Sequence, residues 1–186
     1  MEKTKNICNI TTIETNVGTM VAVASEKGLC MLEFADYKLL NLELKQITNT
    51  FKTSPIQEKN PIFNTIKEQL EEYFNGKRKI FDVPLDLVGT EFQKQVWLSL
   101  LKIPYGATTT YAKQAKDIGR PTSVRAVANA NGKNKISIIL PCHRVIGTNG
   151  SLTGYGGGIE RKKKLLDLEK KYILQKENLL EFNNDI

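Results

Sequence analysis

Cys142 and His143 stand side by side in "ILPCHRVIG" (Ile139–Gly147), and His143 is the only histidine of the chain. A thiol attacks as its thiolate, and an imidazole is the natural group to take its proton. Arg144 follows, and its positive charge would favour a thiolate. The bland readings are a small buried hydrophobe for the cysteine and a histidine satisfied by a backbone carbonyl. Against them stand Pro141, which makes a corner, and the imidazole directly next in sequence. Consecutive side chains of a strand point to opposite faces. The two groups therefore cooperate only if a turn at Pro141 joins them or a water bridges them. Such a base needs a third group to orient it, and Glu160, Asp167 and Glu169 all lie in the helix that follows. Spacing does not choose among them. A protease, an acyltransferase and an alkyl acceptor all fit so far.

The elements that must position this pair are marked by apolar spacing and turn residues. "TEFQKQVWLSLLKI" opens with Thr90 and Gln93 as a capping box, and Phe92, Val96, Trp97, Leu100 and Leu101 form its buried stripe. "TTTYAKQAKDIG" predicts a short helix from Thr110 to Gly119, and "RPTSVRAVANANG" another from about Thr122 to Gly132. Two short helices joined by Gly and Pro read as a helix-turn-helix. "KISIILPCHRVIG" predicts a buried strand running into the turn at Pro141. "TNGSLTGYGGG" (Thr148–Gly158) is a loop whose glycines permit close approach to a ligand. "IERKKKLLDLEKKYILQ" is an amphipathic helix, with a polar, frayed tail after Glu177.

The front half reads differently. "TMVAVAS" and "LCMLEFA" flank "EKG" as a hairpin, and a polar stretch without a marked element runs on to about Asn60. Asn60, Pro61 and Gly76 then bracket a helix with Ile62, Phe63, Ile66, Leu70, Tyr73 and Phe74 on one face. "FDVPLDLVG" is extended, with Pro84 placing it at an edge or in a linker. The division is residues 1–88, residues 89–172 and a tail at 173–186.

The 186 residues carry a net charge of +7, placed unevenly. Residues 90–169 hold 13 basic and 5 acidic side chains, whereas residues 1–89 hold 11 and 12. A polyanion partner for the back half competes here with a merely solvated lysine-rich surface. Three scattered cysteines without a CxxC argue against a disulfide framework and a zinc site, and for a reducing compartment. No apolar stretch has signal-peptide or membrane-span length, so a cytoplasmic protein without a membrane partner is expected.

With "PCHRVIG" behind a helix-turn-helix, the sequence resembles the O6-alkylguanine-DNA alkyltransferases, or methylated-DNA–protein-cysteine methyltransferases. The resemblance runs from "FQKQVWLSLLKIPYGATTTYAKQA" through "RPTSVRAVANANGKN" and "ILPCHRVIGTNGSLTGYGGG" to "KKKLLDLE". It implies an α+β chain, in which a small ribonuclease-H-like domain supports a mostly helical DNA-binding and active-site domain. It also implies one-turnover repair of double-stranded DNA carrying O6-alkylguanine, with minor-groove binding and base flipping, by a monomer without cofactor or metal. The damaged DNA itself brings the alkyl group.

Residue by residue, Cys142 matches the acceptor, His143 the base acting through a water, and Glu169 the carboxylate that orients it. Asn134 matches the asparagine bracing the hinge, and Tyr111 the phenol that helps guanine leave. Arg125 matches the arginine that fills the gap left by the flipped base. Thr110, Ala126 and Ala130 fall where the helix-turn-helix meets DNA, with Ala128 small beside them. Tyr155, Gly156 and Gly157 match the loop lining the base pocket. The chain departs from the family at Lys135 and Ser137, where hinge prolines are common, and at Gly156, where relatives often carry Ser or Ala. Front-domain zinc ligands are absent, because Cys8 and Cys30 have no His partners. Two other classes compete: a lesion sensor without transfer, against which Cys142 speaks, and a cysteine hydrolase, against which the basic back half and Arg125 speak.

Overall fold

The computed structural model describes residues 8–184, with side chains through residue 175. Strands β1 (Asn9–Ile13), β2 (Met20–Ala24) and β3 (Leu29–Phe34) form an antiparallel sheet in that order. β2 and β3 are the two arms of the expected hairpin. Gly28 in its turn lies against the backbone of the returning 81–89 segment, where a Cβ would come within 2.5 Å of the Pro84 carbonyl oxygen. That segment pairs with β3 through a single bridge, Leu29 to Leu85.

Every residue of β2 is buried, so both faces of the sheet are covered. Met20, Ala22 and Ala24 face the main core, with Phe63, Ile66 and Leu70 of α2 (Pro61–Phe74). Val21 and Val23 face a smaller core with Ile47 of α1 (Leu40–Phe51). The sequence predicts only a polar stretch where α1 forms. Its start at Leu39 has no capping side chain, and it ends on Lys52 with a φ of 55°. Leu40, Leu44, Ile47 and Phe51 recur at helical spacing among Thr, Asn and Lys, and the sheet face selects them. α2 forms as expected, with the Asn60 side chain accepting from the Ile62 amide at 3.0 Å.

The back half is helix packed on helix. The capping box of α3 (Glu91–Leu100) is present, with Thr90 and Gln93 bonded reciprocally. α4 (Tyr111–Asp117) and α5 (Val124–Asn131) make the helix-turn-helix, α5 starting slightly later than the expected Thr122. Trp97 of α3 donates its indole N–H to the Ala130 carbonyl at 2.7 Å, which locks α3 to α5. The predicted strand before Cys142 does not form. Residues 135–140 are buried, but they fold as successive turns, and Ile136 alone pairs, with Leu32 of β3. Ile138 has a φ of 72°, and the Ile139 amide reaches back to the Ser137 carbonyl at 2.9 Å. A second such turn at Pro141 joins the Cys142 amide to the Leu140 carbonyl at 2.7 Å. The apolar run is thus buried by compaction rather than by strand pairing.

A short 3₁₀ turn (Cys142–Arg144) leads into β5 (Val145–Ile146), which pairs in parallel with β4 (Thr109–Thr110). α6 (Ile159–Asn184) crosses position 173 without interruption, so the proposed tail begins inside a helix. The reading of the tail as polar and frayed falls on side chains outside the described ones. The whole is an α+β fold, and among the described residues no helix is long and apolar enough to cross a membrane.

Candidate active site

The turns before Cys142 are held by one side chain. The Asn134 amide donates to the Leu140 carbonyl at 2.9 Å and to Cys142 Sγ at 3.2 Å, and its oxygen accepts from the Ile136 amide at 3.0 Å. Asn134 therefore closes the loop onto itself and fixes the sulfur at the same time. Cys142 is only 5% exposed. Burial pushes its thiol up to about 12, against the Asn134 hydrogen bond, so the resting group is the protonated thiol.

The 3₁₀ turn sends His143 and Arg144 together towards α6. His143 Nε2 lies 2.8 Å from Glu169 Oε1, with both side chains fully buried. Burial opposes the Glu169 charge, yet the His143 bond and charge, followed by those of Arg144, bring the carboxyl down to about 2. An ionised carboxylate can only accept, so Nε2 carries the proton and Nδ1 offers its lone pair. That Nδ1 is buried and has no partner among the described residues. Burial also lowers the affinity of the ring for a second proton, which keeps the imidazole neutral. The geometry yields a neutral base with a free lone pair one residue from the thiol.

Glu169 is saturated. It accepts also from the Tyr73 hydroxyl at 2.7 Å, the Gly106 amide at 2.8 Å, and Arg144 Nε and Nη2 at 3.0 and 2.9 Å. Arg144 Nη1 goes to the Ile103 carbonyl at 2.8 Å. The guanidinium expected to favour a thiolate is thus committed to the carboxylate. Spacing left Glu160, Asp167 and Glu169 open; of these, Glu169 is the one fully buried against His143, whereas Glu160 and Asp167 are exposed.

The glycine loop closes over the site. Tyr111 donates to the Thr153 carbonyl at 2.8 Å, and a Cβ on Gly154 would meet that phenol at 2.6 Å. Tyr155 sits edge-on between His143 and Phe34, its ring centroid 6.4 Å from each. Gly157 lies on Phe34, where a Cβ would come within 2.5 Å of the ring. Gly156 faces Tyr37, the residue that follows the turn after β3.

The remaining expected residues lie apart. Arg125 and Ala126 are exposed on α5. Ala130 is 3% exposed and belongs to the core, so its methyl is not offered to a partner as expected. Thr110 uses its hydroxyl to cap α4, accepting from the Lys113 amide at 3.1 Å. Sequence reasoning missed Tyr73, Gly106 and Arg144 as partners of Glu169. It also missed Lys162, fully buried and donating to the Val145 and Thr153 carbonyls at 2.6 and 2.7 Å. Its spacing from buried Leu165 and Glu169 was the available signal, hidden in a run of lysines that reads as a solvated face. Glu33 of β3 was missed too: it is 1% exposed and accepts from the Ser137 hydroxyl at 2.9 Å. Among the described residues no three His, Cys, Asp or Glu side chains gather as a metal site.

Two family models match the chain: the ribonuclease-like domain of 6-O-methylguanine DNA methyltransferase over residues 9–87, and its DNA-binding domain over residues 91–171. A methylated-DNA–protein-cysteine methyltransferase of Mycobacterium tuberculosis is 58% identical over 108 residues, which cover 58% of this chain and 66% of that protein. One of Methanosarcina barkeri is 45% identical over 159 residues, covering 85% of this chain and 94% of that protein. The crystal structure of Mycobacterium tuberculosis O6-methylguanine methyltransferase superposes with a TM-score of 0.76 at 42% identity, over 89% of this chain and 94% of that one. A structure described as Mycobacterium tuberculosis OGT in complex with DNA gives a TM-score of 0.76 at 41% identity, over 88% and 94% of the two chains. From the paired domain matches and the full-length relatives, the chain belongs to the 6-O-methylguanine DNA methyltransferase family.

Proposed function

We propose that this protein repairs double-stranded DNA directly, moving the alkyl group of O6-alkylguanine to Cys142 in a single turnover. The observation that carries the reading is the buried Glu169–His143 pair, which leaves Nδ1 unprotonated and unpartnered beside a thiol held by Asn134. His143 Nδ1 takes the thiol proton through a water. The sulfur lone pair attacks the alkyl carbon, a C–S bond forms, the C–O6 bond breaks and its electron pair stays on guanine. Tyr111 donates towards the ring nitrogen as that negative charge grows. Because the thiol rests at about 12, the thiolate forms only when the imidazole and the alkyl carbon are both at hand. The product is a thioether, which carries no activated centre for water to attack, so each molecule acts once.

In this reading α4 and α5 lie in the minor groove and Arg125, exposed on α5, fills the gap left by the flipped guanine. Flipping costs a few kcal/mol, least for a base whose pairing is already damaged. Tyr155, Gly156 and Gly157 line the pocket that receives it. Residues 1–88 serve as the supporting domain, residues 89–172 bind DNA and carry the chemistry, and the tail from residue 173 prolongs α6 as far as Asn184. The protein works as a monomer in the cytoplasm and takes no cofactor.

Intact-mass measurement after mixing with a duplex carrying one O6-methylguanine tests the reading. One added methylene, mapped to Cys142, saturating at one per molecule and absent from Cys142→Ala, is the expected result. Unchanged mass with tight lesion-selective binding would mean a sensor, and unchanged mass without binding would sink the repair reading.

A further inference from the structure

We infer that Tyr37, contributed by the N-terminal half, is a wall of the base pocket and sets how large an alkyl group can reach Cys142. The inference rests on the repair reading above and adds a specificity-determining residue to it. Tyr37 follows β3 after a tight turn in which its amide donates to the Phe34 carbonyl at 3.0 Å. Its own carbonyl accepts from the Leu40 amide at 3.0 Å, which fixes the backbone at the start of α1. The ring is half-buried and packs against the main core.

It faces the glycine loop. A Cβ built on Gly156 would lie 3.3 Å from Cε2 and Cζ of Tyr37 and 3.5 Å from its hydroxyl. At position 156 the aromatic ring occupies the space that a side chain would enter. Burial pushes the Tyr37 phenol up to about 12, and the charges of Glu43, Glu33 and Cys142 act in the same direction. The ring therefore stays neutral. Tyr37 also lines a surface cleft of about 480 Å³, together with Leu42, Glu43, Gln46, Lys133 and Lys135. The ring thus borders both that cleft and the glycine loop at position 156. Removing the ring opens space beside position 156, and adding bulk at 156 presses on it.

The test compares single-turnover alkylation of Cys142 by duplexes carrying O6-methylguanine and O6-benzylguanine, read as the benzyl-to-methyl rate ratio. A ratio cancels any loss of folded protein, so a destabilised variant still reports. Tyr37→Ala is expected to raise the ratio about tenfold or more, the lower end of what a shaped apolar pocket discriminates. Tyr37→Phe keeps the ring and should stay within about twofold of wild type. Gly156→Ala should lower the ratio, and Gly156→Ala combined with Tyr37→Ala should recover it. A Tyr37→Ala ratio within twofold of wild type would overturn the inference. Failure of the wild type to take methyl from DNA would overturn the repair reading itself, which is a different result.

Discussion

Two buried carboxylates, one on α6 and one on β3, meet opposite fates. Glu169 on α6 is fully buried and receives five donors, from Tyr73, Gly106, His143 and two nitrogens of Arg144. Glu33 on β3 is equally buried but receives two, the Phe34 amide at 2.8 Å and the Ser137 hydroxyl at 2.9 Å. The first is brought down to about 2, whereas burial drives the second up to about 7. Nearby Glu43 follows the second pattern, pushed to about 8 by burial with one oxygen unpartnered among the described residues. Burial is common to all three. The supply of hydrogen-bond donors and of a facing cation decides which carboxyl keeps its charge. The charged one serves the imidazole, and the near-neutral ones line the seam between the two halves.

The strongest way to break this contrast is Glu169→Gln. It leaves Arg144 buried without an anion and removes the reason for Nε2 to hold its proton. Stability should fall by about 3–5 kcal/mol, the cost of stranding a buried charge. Cys142 alkylation in the surviving protein should slow by about a hundredfold or more, as expected when a catalytic base loses its orienting group. Thermal unfolding and single-turnover rates measure the two effects, and a wild-type rate would remove Glu169 from the mechanism. Ser137→Ala is expected to cost about 1 kcal/mol in denaturant unfolding, because Glu33 keeps only the Phe34 amide.

Glu33→Gln should do the opposite of Glu169→Gln and raise the melting temperature, by more at pH 8 than at pH 5. The signs differ for a reason. The folded pKa of Glu33 is raised, so its contribution is present below about 4.5 and is lost as pH rises through about 7. That of Glu169 is depressed, so its contribution is present above about 4.5 and is lost as pH falls towards 2. A drop in melting temperature for Glu33→Gln as large as that for Glu169→Gln would erase the distinction. The smallest expected effect is on rate: because the His143 pKa lies below its usual value, alkylation should change less than about twofold between pH 7.5 and 6.5. A steep loss across that window would mean the ring titrates there.

Much of this frame was legible from residues alone. Asn60 with Pro61, and Thr90 with Gln93, announce their helices because a cap is a local bond between near neighbours. The hairpin and the two helices of the helix-turn-helix were legible for similar reasons. α1 was not, since it has no capping side chain and its apolar stripe gains meaning only against the sheet. The run Ile136–Leu140 misled because its β-branched residues satisfy strand periodicity, while Asn134 and two tight turns bury them by another route. Within the site, Cys142 and His143 stood out by chemistry. Glu169 emerged from three candidates only through the family resemblance, because what singles it out, namely Tyr73, Gly106 and Arg144, converges from distant parts of the chain.

The Thr153 carbonyl, which accepts from both Tyr111 and Lys162, has a consequence for timing. A phenol has one hydrogen, and at rest Tyr111 has already given it away. In the proposed repair reaction a guanine entering the pocket must compete for that hydrogen, so the phenol answers only a base that offers an acceptor where Thr153 did. When it turns, Lys162 still holds the carbonyl, and the loop loses one tether without leaving an orphaned group behind. In that reaction the hydroxyl would behave as a latch on a spring, held closed by the backbone and released by the cargo it assists.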